Sequence, residues 1–371
     1  SLDHAPRAAS WTSRESILAT IAAFNAFVAI VAVAAFMNSD GTGVSASLLQ
    51  PTGTLRPLSY HLLYSTALAD AKYIDLTHTI EPGMSIWPGF ASPTFGPATA
   101  VIRDPPFVNK DEPFSYARQG FIATQVTLAT DQLGTQLDPP AHWNEYGATI
   151  SDLPASISLR PLVVIDVSAK VAADPTYHAQ VDDVLAWEAA HGGPVPAGSV
   201  VFFRTVGWPD PAPTSGIGLS TLQFLHEERA ILLHGHEPLD TDATPSLEGE
   251  AWLLHHDYMQ AEGLANLHLV PSAGCLVSIG FPKIAGGAGG YARYVAVCPP
   301  GSTPNGVSVA EAPGAPLPRQ DAPLRRGANG VLAPSPGATP TVYCAPENPG
   351  SSGCPPNGWS EPPATRSGTG R

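Results

Sequence analysis

Between Tyr73 and Cys298 the large apolar residues fall into short runs, each bounded by turn-forming residues: 161–167, 199–203, 230–233, 275–279 and 294–297. Runs of this length suit strands buried in a sheet and are too short for ordinary helices. Three other stretches, Val181 to His191, Ser220 to Glu228 and Leu247 to Met259, space their apolar residues for one face of a helix. Strands alternating with helices predict an α/β fold. The absence of an internal repeat predicts one globular domain over 73–299.

The flanks differ in kind. Ile17 to Met37 carries no charge and is broken only by Thr20 and Asn25. As a helix it would be about 31 Å long, the thickness of a bilayer core. With residues 1–16 ahead of it, segment 17–37 is predicted to be a membrane anchor, with a secretory signal peptide as the rival reading. Both readings put the main domain outside the cytosol: periplasmic, lumenal or extracellular. Residues 38–72 read as a linker with a short helix near Tyr60 to Ala71. Residues 300–371 are rich in Pro and Gly and poor in large apolar side chains. Such a tail cannot offset the entropy of ordering and is predicted to be disordered.

Charge and cysteine usage exclude some functions. Eighteen Lys and Arg against thirty-two Asp and Glu give a net charge of −14, which disfavours nucleic acid as a partner. Four cysteines are too few for a disulfide scaffold. Cys275 and Cys298 sit in apolar stretches and read as small buried hydrophobes, whereas Cys344 and Cys354 could pair across a short loop.

Residues 132–142 read Gln-Leu-Gly-Thr-Gln-Leu-Asp-Pro-Pro-Ala-His. Gln132, Gln136, Asp138 and His142 all occupy even positions, and the strand-like 121–128 precedes them. If the extended backbone continued, these side chains would share one face. A carboxylate among amides and apolar residues calls for a cation. An imidazole titrates where a general acid or base is useful.

This segment resembles the H-x-G-T-H-x-D-x-P-x-H signature of the cyclase family, which includes kynurenine formamidases and isatin hydrolases. Gly134, Thr135, Asp138, Pro140 and His142 match it, while Gln132 and Gln136 stand where the family has metal-binding histidines. A second resemblance covers 250–267, where Glu262 matches a metal-binding glutamate and Glu250 replaces a histidine twelve residues earlier. Weaker matches are Tyr73 to Thr77, Trp87-Pro88-Gly89, Arg204 to Trp208 and the Gly-rich turn leading to Arg293.

The resemblance implies the family's swivelling β/β/α fold, in a homodimer or homotetramer. It also implies a metal-dependent hydrolase of a small amide, formamide or lactam, such as the N-formylkynurenine of tryptophan catabolism or an isatin-type ring. His142 would move protons, and Asp138, Gln132, Gln136, Glu262 and Glu250 would hold the metal. His236, Thr135 and Arg293 are further candidates, and Trp87, Trp143 and Trp208 could line a pocket for a flat substrate. Oxygen ligands in place of imidazoles favour Mn²⁺ or another hard cation over Zn²⁺. Two alternatives stay open: a lactone or ester hydrolase using the same site, and a family member that binds a small molecule without turning it over. Gly287 to Ala292 loosely satisfies a dinucleotide fingerprint, but a strand-like run follows it where a helix is required. No G-x-S-x-G elbow occurs.

Overall fold

The computed structural model describes residues 59–101, 108–205, 214–302, 324–326 and 332–337. The 17–37 segment, Trp208, Cys344 and Cys354 lie outside them. Among the described residues no helix is long and apolar enough to cross a membrane.

The chain forms β1 (Lys72–Asp75), β2 (Thr94–Pro97), β3 (Thr124–Thr127), β4 (Gln136–Asp138), β5 (Leu159–Asp166), β6 (His178–Ala179) and β7 (Val200–Arg204). It continues with β8 (Gly216–Ile217), β9 (Leu233–His236), β10 (Gln260–Glu262), β11 (Cys275–Gly280), β12 (Gly290–Tyr291) and β13 (Arg293–Cys298). Nine of these make one sheet in the order β1-β13-β11-β5-β7-β9-β10-β4-β12. Its centre, β5-β7-β9-β10, is parallel, and the flanking pairs are antiparallel. The sheet curls: the chain just past β1 bridges the chain just past β10, Thr77 to Leu264. Tyr294 of β13 is fully buried, and its hydroxyl donates to the Gln136 carbonyl of β4 at 3.1 Å.

Alternation along the strands fills a core on each face. Leu162, Val164, Val200 and Phe202 enter one cluster, and Val163, Ile165, Val201 and Phe203 the other. The second core is covered by helices Val181–His191 and Leu219–Gln223, the latter continuing as a π-turn to Glu228. Helix Val181–His191 starts in a capping box between Gln180 and Asp183 and stops at Gly192, whose φ of 72° is left-handed. The third helical stretch is shorter than its apolar spacing predicts. It runs Glu248–His255, and the chain then enters β10.

Three expectations are corrected. Cys275 and Cys298 are buried but form a disulfide, because the β11–β13 register places Leu276 opposite Val297 and hence the two cysteines face to face. The strand near 121–128 does not run on toward Asp138. It is β3, an exposed partner of β2, and the chain bends before β4 with Gly134 at φ 63°. The strand expected at 230–233 begins only at Leu233, since Ala230 has a φ of 51°. His234 and His236 therefore lie inside the sheet, fully buried. Within the Pro/Gly-rich tail, the described residues form a small antiparallel pair, Leu324–Arg326 with Leu332–Pro334.

Candidate active site

The site grows from side-chain alternation on three neighbouring strands. Gln136 and Asp138 of β4 share a face, as do Gln260 and Glu262 of β10 and His234 and His236 of β9. The antiparallel register sets Gln260 opposite Asp138 and Glu262 opposite Gln136, while the parallel register sets His234 beside Gln260. Two polar rows thus cross the sheet where apolar rows would otherwise continue.

Amides and carboxylates interlock there. Gln136 Nε2 donates to Glu262 Oε2 at 2.7 Å and to Asp138 Oδ2 at 3.3 Å. Gln260 Nε2 donates to Glu262 Oε1 at 2.9 Å and to Asp138 Oδ2 at 3.3 Å. Gln132 Nε2 reaches Asp138 Oδ1 at 3.1 Å. The Thr241 hydroxyl donates to Gln260 Oε1, which aims the Gln260 N–H groups at the carboxylates. His236 Nε2 lies 3.1 Å from that hydroxyl and 3.9 Å from Glu262 Oε1, and its Nδ1–H donates to the Pro238 carbonyl at 3.0 Å.

His142 and Glu250 complete the site. Glu250, on helix Glu248–His255, accepts from the Trp143 indole at 3.0 Å, and the same oxygen lies 3.4 Å from His142 Nε2. Its other oxygen, Oε2, is buried with no hydrogen-bond partner. A cavity of about 230 Å³ opens onto these groups, lined also by Trp87, Phe90, Leu239 and Asp240.

The electrostatics follow from burial and crowding. Burial, aided by the Glu250 charge, raises the Asp138 carboxyl to about 6. Burial and the charges of Asp138, Glu250 and Asp240 push Glu262 well above the usual carboxylate range. Burial alone would lower His142, but its bond to Glu250 and the charges of Asp138, Glu250 and Asp131 outweigh that and raise it. Burial takes His236 down to about 4, which keeps it neutral.

Two glycines make room for this packing. A Cβ on Gly289 would lie 2.3 Å from Gln132 Cγ, so the Gly-rich turn forms the floor under that glutamine. Gly263 has a φ of 61°, and a Cβ there would lie 2.6 Å from the Gly134 carbonyl oxygen.

Sequence-predicted residues thus separate by place. Gln132, Gln136, Asp138 and Glu262 come together in the cluster, with His142 and Glu250 beside it. Glu250 partners His142. Trp87 and Trp143 line the cavity. Thr135 ties backbones: its hydroxyl donates to the Gly263 carbonyl at 2.5 Å and accepts from the His78 N–H at 2.9 Å. Arg293 does not line the cavity, and Asp75 of β1 holds its guanidinium at 2.6 and 3.0 Å. His255 and His256 are exposed and bond back to carbonyls four residues earlier. Gln260 and Thr241 escaped the sequence reading, although Gln260 shares strand parity with Glu262.

Whether the cluster fits the metal implied by the resemblance depends on the amides. Among the described residues, no three His, Cys, Asp or Glu side chains converge closely enough to hold an ion by themselves. Four carboxylate oxygens of Asp138 and Glu262 already accept amide N–H groups. An amide presents oxygen in place of nitrogen after a half-turn, and Gln260 is fixed by Thr241. A hard cation would fit between Asp138 and Glu262 only with the Gln132 and Gln136 amides turned so that their oxygens face inward.

The "Cyclase" family model matches residues 74–243. The isatin hydrolase of Roseibium aggregatum is 28% identical over 239 residues, covering 55% of this chain and 89% of that enzyme. Isatin hydrolase A from Labrenzia aggregata, solved with benzyl benzoate, superposes with a TM-score of 0.54 at 24% identity, over 65% of this chain and 98% of its own. Isatin hydrolase A from Ralstonia solanacearum gives a TM-score of 0.53 at 24% identity, over 67% and 99%. The α/β domain described above shares their fold.

Proposed function

We propose that the chain is a divergent member of the cyclase family and that it hydrolyses a small aromatic lactam, formamide or related amide. The observation that carries this reading is the His142–Glu250 pair in the wall of a cavity floored by buried carboxylates.

Amide hydrolysis needs a base to deprotonate water, an acid for the leaving nitrogen, and stabilisation of charge on the carbonyl oxygen. Glu250 accepts, so Nε2 is the protonated nitrogen of His142, and Nδ1 is the one left to take a proton. His142 removes the proton from water at that atom and returns it to the leaving nitrogen. Glu250 stabilises the imidazolium in between, and Trp143 holds the carboxylate in place. Trp87, Phe90 and Trp143 give a flat ring apolar surface to stack on.

Asp138 and Glu262, with the oxygens of Gln132 and Gln136, would hold a hard divalent cation, Mn²⁺ ahead of Zn²⁺. When bound, such a cation supplies Lewis-acid activation of water and of the carbonyl. The Cys275–Cys298 disulfide supports placing the domain in an oxidising compartment outside the cytosol.

The test is turnover of isatin and N-formylkynurenine by the whole chain, with elemental analysis of protein purified without added metal. His142→Ala should lower kcat by about 10²- to 10⁴-fold while the fold persists. Full activity in that variant removes the base, and stoichiometric zinc contradicts the ligand reasoning. The closed amide–carboxylate network favours one second reading, a protein that binds a small molecule without turnover. Ligand binding that persists in chelator, with no amide, ester or lactone hydrolysed, selects it.

A further inference from the structure

The cavity carries charge of one sign. Asp240, Glu250 and Glu262 line it, Asp138 lies buried behind them, and none of the described lining residues is Lys or Arg. A divalent cation held by Asp138 and Glu262 would cancel two of these four charges and leave Asp240 and Glu250. Glu250 is only 4% exposed, and its Oε2 has no partner within the protein. A buried carboxylate oxygen without a donor, lining a cavity, points to a donor brought by a ligand.

Asp240 adds direction. It is half-buried, accepts from the Trp87 side chain, and stands apart from the amide cluster. Trp87 and Phe90 pack at 5.6 Å between ring centroids and stay partly exposed beside it. Aromatic faces next to a carboxylate recognise a ring bearing N–H or ammonium groups, through stacking, cation–π attraction and a charge-assisted hydrogen bond. A ligand carboxylate finds no Lys or Arg among the described walls and meets the Asp240 charge, Glu250 being already opposite His142.

We infer that the cavity selects aromatic molecules that are neutral or cationic and offer an N–H group to Asp240, that it excludes those carrying a carboxylate, and that Asp240 sets this preference. The inference rests on the reading that the substrate occupies this cavity. It narrows the substrate class to lactams and aryl amides without an acidic group, and it places N-formylkynurenine, with its amino-acid carboxylate, below an isatin-type ring. Opening a lactam creates a carboxylate, so the same field drives the product out.

Binding of three probes to the full chain at pH 8 and low salt tests this: tryptamine, tryptophol and indole-3-acetate share a ring and differ in charge. Tryptamine should bind tightest and indole-3-acetate weakest, about tenfold apart at each step, the scale of a partly screened charge pair. Asp240→Asn should bring tryptamine and tryptophol together, and Asp240→Glu should keep them apart, with near-UV circular dichroism reporting the fold of each. Indole-3-acetate binding as tightly as tryptamine, an unchanged preference in Asp240→Asn, or binding of none of the three overturns the inference. No probe is hydrolysed, so failure of the amidase assays with the probe order intact refutes the proposed function alone.

Discussion

Asp138→Asn gives the sharpest test of the buried cluster. The Asp138 carboxyl is raised from 3.8 to about 6 by burial and by Glu250, so the native protein binds its proton more tightly than the unfolded chain does. A raised acid contributes stability that is fully present below the unfolded value and is lost as pH rises through the folded one. In metal-free protein, the whole loss from this group alone, complete once pH has risen past about 7, amounts to about 3 kcal/mol. Glu262 is raised for the same reasons and adds to the loss in the same direction.

Asparagine cannot ionise, and with its oxygen kept toward Gln136 and Gln260 it turns an N–H toward the Gln132 donor, at about 1–3 kcal/mol. That clash is present at every pH, so the difference in stability between two pH values isolates the charge. Urea unfolding of chelator-treated protein at pH 4.5 and 7.5 should show the wild type losing about 2 kcal/mol more than Asp138→Asn across that interval. Equal pH dependence in the two proteins would refute the picture of a carboxylate strained by burial. Adding Mn²⁺ at pH 7.5 should restore stability to the wild type and much less to the variant.

Glu250→Gln removes the group that raises His142 and leaves the burial that lowers it. The acidic limb of the kcat/KM–pH profile should move to lower pH with a fall in kcat, and an unmoved limb rejects the pair. Replacing Cys275 and Cys298 by serine opens a link between residues 23 apart and should cost about 3 kcal/mol in urea unfolding. Reductant should do the same to the wild type. Returning imidazoles by Gln132→His with Gln136→His should shift metal preference toward zinc in a competition titration against manganese.

Much of the fold was legible because buried strands announce themselves as short apolar runs. β5, β7, β11 and β13 fall where those runs predict, and helix Val181–His191 matches its spacing. β10 was not legible. Its residues Gln260, Ala261 and Glu262 are too few and too polar to read as a buried strand, and only pairing with β4 and β9 makes them one. The exposed β3 misled for the opposite reason: its alternation is that of a two-stranded pair, not of the sheet that carries Asp138.

By itself the sequence determined the chemistry available to this protein: a carboxylate, two amides and an imidazole in one short segment, with glutamates from a second. Local residue types and spacings carry that information. Tertiary structure alone decided how those groups are shared. Strand register brings Gln136 and Gln260 onto both Asp138 and Glu262 and leaves Arg293 with Asp75, and the packing of helix Glu248–His255 sets Glu250 on His142. Cys275 and Cys298 meet for the same reason. Partners separated by more than a hundred residues are chosen by sheet register and curl, and no local pattern encodes either.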